Sequence, residues 1–71
     1  MTITIENTAA DTRIVLSERG QMTFTNENGT WAQSDFLRYD DRMSDADVKS
    51  TADVFTQFAW SVVNVNGQDV K

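Results

Sequence analysis

Ile14-Val15-Leu16-Ser17-Glu18-Arg19-Gly20-Gln21-Met22-Thr23-Phe24 decides the fold, because the length of its central loop sets which side chains share a face. Successive side chains of a strand point to opposite faces, so a one-residue change of pairing exchanges all of them. Glu18-Arg19-Gly20 suits a three-residue hairpin loop with glycine in the left-handed position. That loop sets Ser17 opposite Gln21, Leu16 opposite Met22 and Ile14 opposite Phe24, gathering the four apolar side chains on one face.

Downstream, Asn28-Gly29 is a strong hairpin signal and sets Glu27 opposite Thr30. Counting back from it puts Asn26 opposite Trp31 and Phe24 opposite Gln33, so Trp31 joins the face of Ile14, Leu16, Met22 and Phe24. The other face carries Arg13, Val15, Thr23, Thr25, Glu27, Thr30 and Ala32, mostly polar or small groups suited to water. Upstream, Thr2 to Glu6 alternate with Ile3 and Ile5 on one side, as in a half-buried strand, and Asn7 to Asp11 read as a loop.

Ser34 to Arg42 fits an extension of the third meander strand, a short helix capped by Ser34, or a loop, and we treat it as a connection. Ser44 followed by Asp47 resembles a capping box, with Asp45 and Asp47 at the positive end of a helix. From there Val48, Ala52, Phe55, Ala59 and Val62 recur at helical spacing. The β-branched and aromatic cluster Trp60 to Val65 ends the helix near Phe58 to Trp60 and begins a last strand. Asn66-Gly67 offers a further turn, leaving Gln68 to Lys71 as a short returning strand or a frayed tail.

These features describe one small α+β domain over residues 1–71: an antiparallel β-meander of three to four strands with one amphipathic helix packed on one face. Its expected core is Ile14, Leu16, Met22, Phe24, Trp31, Val48, Ala52, Phe55, Ala59 and Val62. Phe36, Leu37, Tyr39, Val54 and Trp60 fall outside that scheme, Trp60 as either a lid over the core or an exposed anchor.

A chain of 71 residues buries only about 60% of the surface its unfolded form exposes. With no cysteine and no histidine it has no disulfide, thiolate or imidazole to reinforce the core or to build a standard nucleophilic triad. The acids lie on turns and at a helix start, where water keeps them ionised, so no enzymatic activity and no cofactor is expected. Asp40, Asp41, Asp45 and Asp47 lack the glycine and terminal glutamate of a calcium loop, so no metal site is assigned.

The N-terminus shows no basic and apolar leader and no stretch reaches membrane-span length, which points to a cytoplasmic protein. Eleven acids against six bases, a net charge of −5, disfavour direct binding to nucleic acid or to an anionic membrane. A larger protein with a basic surface is the natural partner. In size and charge alone the chain resembles small accessory proteins of phages and mobile elements, which implies a stoichiometric regulator or inhibitor. The expected contact residues are Phe36, Arg38, Tyr39, Asp40, Asp41, Asp45 and Asp47, where aromatic and charged side chains stand together without a place in the core. The alternative is a structural subunit that forms a homodimer through an edge strand around Val62 to Val65.

Overall fold

The computed structural model describes residues 1–70, so Lys71 lies outside the described residues. The alternating N-terminus is strand β1 (Thr2–Asn7), and the meander is β2 (Thr12–Ser17), β3 (Gly20–Glu27) and β4 (Thr30–Arg38). Helix α1 (Asp45–Thr56), β5 (Ser61–Val65) and the short β6 (Gln68–Asp69) complete the chain. All six strands form one antiparallel sheet in the order β4-β3-β2-β1-β5-β6, with the helix packed against it. The α+β class is as expected, with a wider sheet.

The two Asn-Gly turns form as their chemistry demands. Asn28 and Gly29 have φ of 55° and 88°, and Asn66 and Gly67 have 51° and 85°, the doubly positive pattern of a tight hairpin turn. They pair Glu27 with Thr30 and Val65 with Gln68.

The β2–β3 hairpin departs from expectation by one residue. Leu16 pairs with Gln21, Val15 with Met22, Ile14 with Thr23 and Arg13 with Phe24. The loop is Glu18-Arg19 alone, and Ser17 Oγ donates a hydrogen bond across it to the Gly20 carbonyl at 3.0 Å. Gly20 begins β3 and has no positive φ. Its glycine is required for another reason: a Cβ there would collide with the carbonyl oxygen of Leu37 on β4. The residue answers to close backbone approach rather than to turn geometry.

This slip reverses the expected faces. Ile14 and Leu16 still point to the helix, but Met22, Phe24 and Trp31 join Val15 and Arg13 on the opposite side. The core is Ile3, Ile5, Ile14, Leu16, Val48 and Ala52, with Met1, Met43, Phe55, Trp60 and Val62 packed against it. Ile3 and Ile5, 3% and 0% exposed, replace the misplaced meander residues, because β1 lies inside the sheet between β2 and β5. Ala59 is exposed in the turn after the helix, so it too leaves the expected core.

Two bulges adjust the strands. On β4 the register shifts where Thr23 pairs with Asp35 and Phe24 with Gln33, leaving Ser34 as the extra residue. On β5 it shifts between Asn64 and Val62, which sets both Val62 and Val65 opposite core isoleucines.

Ser44 caps α1 as expected, its Oγ accepting from the Asp47 N–H at 3.1 Å. The helix stops at Thr56, short of Phe58, and Trp60 folds back edge-on to Phe55 with ring centroids 5.5 Å apart. Trp60 is therefore a half-buried lid over the core. Among the described residues no helix is long and apolar enough to cross a membrane.

A core of this size supplies roughly 3–5 kcal/mol. Ile5→Ala, which opens a cavity at the centre of the sheet, is expected to cost about 2–5 kcal/mol and leave little folded protein in a urea titration. Met22→Ala should cost less than half as much, since its side chain is away from the helix. Gly20→Ala is expected to destabilise by about 1–3 kcal/mol, because β3 and β4 must separate locally to admit a methyl group; an unchanged urea midpoint would disprove the close approach.

Candidate functional site

A helix about 10 Å across can cover only two or three strands spaced about 4.8 Å apart. Among the described residues α1 touches β1, β2 and β5 and neither β3 nor β4. Among the described residues no element covers the opposite face of the sheet. Side chains of β2, β3 and β4 at Val15, Met22, Phe24, Trp31 and Phe36 share that bare face by their pairing. Phe36 belongs there because the bulge at Ser34 shifts the alternation, setting it opposite Met22.

Arg13 lies across this apolar row. Its guanidinium stands 4.4 Å from the centroid of the Trp31 ring, and its Nε donates to Glu6 Oε1 at 2.8 Å. The carboxylate offsets the charge and the ring covers its flat side, so the face is nearly neutral at this point. Thr4, Arg13, Val15, Phe24 and Trp31 line a shallow, mostly apolar hollow of about 260 Å³. Thr4 and Arg13 also border a second hollow of about 560 Å³, completed by Val63, Asn64, Asp69 and Val70.

The free edges of the sheet belong to β4 and β6. β5, where a self-pairing edge was expected around Val62 to Val65, instead lies between β1 and β6. β4 offers a nine-residue edge, interrupted by its bulge and by the charges of Asp35 and Arg38. Leu37, 55% exposed, lies on the helix side of β4 but beyond the reach of the helix.

The seven expected contact residues are divided among four places. Phe36 and Arg38 end β4, on the bare face. Tyr39 turns inward beside the β2–β3 loop: its N–H donates to the Arg19 carbonyl at 3.0 Å, and its Oη accepts from Gln21 Nε2 at 2.8 Å. Asp40 and Asp41 are exposed in the following loop. Asp45 and Asp47 serve the helix start, where Asp45 also pairs with the N-terminal amine at 3.0 Å. Arg42 reaches Glu18 at 2.8 Å. Arg19, Arg38 and Arg42 converge with Tyr39 and Asp40 around a cleft of about 250 Å³, so the end of β4 is rich in guanidinium rather than purely acidic.

Sequence reasoning missed Met22, Phe24 and Trp31 on this face, since the three-residue loop assigned them to the core, whereas Val15 was expected away from the helix. One available signal was the narrow helical stripe, too small to cover every apolar position of the strands. Among the described residues no three acids gather into a group able to hold a metal ion, and no buried side-chain polar atom lacks a partner.

Arg13→Ala is expected to cost about 1 kcal/mol, the scale of one partly exposed ion pair and one cation–π contact. In a Trp60→Phe background it should also shift Trp31 fluorescence to the red. Phe36→Ser should change stability by no more than about 0.5 kcal/mol, as expected of an exposed side chain. No family model, no curated protein and no solved structure matches the chain.

Proposed function

We propose that this chain is a protein-binding domain that acts without catalysis, docking as a stoichiometric regulator or inhibitor on a larger protein. The partner's contact surface would be apolar at its centre and basic at its rim. The observation that carries this reading is the uncovered sheet face, where half-buried Val15, Met22, Phe24 and Trp31 and exposed Phe36 project from three adjacent strands beside an arginine paired to Glu6. Contiguous apolar area without a covering layer is characteristic of interaction surfaces.

Charge supports the chemistry of the occupant. Asp11 and Glu27 stand at the turn end of the meander, where the Asn26 N–H donates to the Asp11 carbonyl at 2.9 Å, and Asp69 borders the second hollow. These exposed acids, on a chain of net charge −5, attract a basic rim and steer its approach. A standard interface takes about 800 Å² from each partner, roughly a sixth of the 4912 Å² surface of this chain. One sheet face is of the right order. Trp31 and Arg13 would act as its anchors, being the residue types enriched in binding hot spots.

The test combines capture from cell extract with hydrogen exchange on the purified pair. Met22→Asp with Phe36→Asp should abolish binding, Phe58→Ser on the far side should not, and exchange protection should fall on β3 and β4. Reversing Asp11 and Glu27 should weaken binding about tenfold at low salt, a loss equivalent to about 1.4 kcal/mol. Retention of the partner by the Met22→Asp, Phe36→Asp chain would sink the docking face. Loss of the partner only when Asp40, Asp41, Asp45 and Asp47 are reversed would move the interface to the loop and helix start. Sedimentation as a stable dimer that Met22→Asp disrupts would assign the face to a second copy.

A further inference from the structure

We propose that the cleft at the end of β4 is a binding site for a compact tetrahedral oxyanion of the phosphate class. Arg19 in the β2–β3 loop, Arg38 at the last position of β4 and Arg42 before α1 line it together with Tyr39 and Asp40. Three of the four arginines in a chain of net charge −5 thus meet at one place. Mutual repulsion opposes such a gathering, and a bound anion relieves it.

The backbone holds the arginine stems where they are. Both residues of the Glu18-Arg19 loop accept hydrogen bonds from the segment that carries the other two arginines: the Arg19 carbonyl from the Tyr39 N–H at 3.0 Å, and the Glu18 carbonyl from the Met43 N–H at 2.8 Å. The side-chain-free approach of Gly20 to β4 brings this loop against Arg38. The backbone of the site is organised before any ligand arrives, which reduces the entropy lost on binding.

Donor capacity selects the ligand. Among the described residues Arg42 is engaged by Glu18, whereas Arg19 and Arg38 have no ion-pair partner. The Tyr39 hydroxyl accepts from Gln21 and keeps its own proton to donate. A carboxylate offers two oxygens in one plane, fewer acceptor positions than two guanidinium forks and a hydroxyl arriving from different directions can fill. Three terminal phosphate oxygens can receive all of them. The cleft, about 250 Å³, admits such a group with several waters of about 30 Å³ each. Asp40 limits the charge it tolerates, and the acidic remainder of the chain repels an extended polyanion, so a small ion or ester fits rather than a nucleic acid.

The test needs only the free chain and is independent of the docking face. Inorganic phosphate is titrated at a fixed, slightly alkaline pH and constant ionic strength while backbone amide resonances are followed. Saturable shifts should be confined to Arg19, Gly20, Arg38, Tyr39 and Arg42. The Arg19→Gln, Arg38→Gln chain should bind at least about tenfold more weakly and Tyr39→Phe about two- to fivefold, as expected for charge-assisted and neutral hydrogen bonds. Lys49→Gln should bind as the parent does, and all variants should keep their resonance dispersion elsewhere. A linear drift that chloride reproduces, saturation that survives the double arginine variant, or equally tight binding of acetate would each overturn the proposal.

Discussion

The register of the β2–β3 hairpin is the constraint on which the rest of the structure depends. Its loop holds two residues, and Gly20 lets the backbone of β4 approach where any side chain would strike the Leu37 carbonyl. Pairing Ile14 with Thr23 and Leu16 with Gln21 then places one aliphatic pair under the helix. The aromatic residues of β3 and β4 follow on the other side, because a strand offers no intermediate orientation.

The division of apolar side chains between the two faces has a geometric origin. One twelve-residue helix covers β1, β2 and β5, whose isoleucines, leucine and valines make a thin but closed core. The remaining apolar side chains have no second layer to meet. Arg13 moderates the exposed face by lying on Trp31 while paired to Glu6, so its aliphatic stem and flat guanidinium shield part of the ring. The covered core and the uncovered face therefore draw on different residues, and changes on the uncovered face leave the core contacts in place.

The same close approach at Gly20 organises the opposite end of the sheet. By drawing the Glu18-Arg19 loop against β4, it stitches that loop to Tyr39 and Met43 through backbone hydrogen bonds and turns three arginines toward a common cleft. Local charge here opposes global charge. A segment that reads as acidic along the chain contributes two arginines to a hollow once folded, where they meet Arg19 from the preceding turn, with Asp40 also in the lining and Asp45 and Asp47 drawn to the helix start.

Local chemistry alone determined the α+β class, the two Asn-Gly turns, the Ser44 cap and the helical stripe of Val48, Ala52 and Phe55, since each depends on residues within a turn or two of one another. Tertiary structure decided what these elements bury. The β2–β3 loop length hinged on whether Gly20 supplied a left-handed turn or room for β4, and a glycine is compatible with both. The central place of β1, which makes Ile3 and Ile5 the heart of the core, rests on pairing with β5 far along the chain. The bulge at Ser34, which sends Phe36 to the bare face, leaves no mark in a pattern of alternating residues. Of the candidate site, Phe36, Arg38 and Tyr39 were legible as residues without a core role. Trp31, Phe24 and the convergence of three arginines were not, because sheet parity and strand approach are long-range properties that no short stretch of sequence contains.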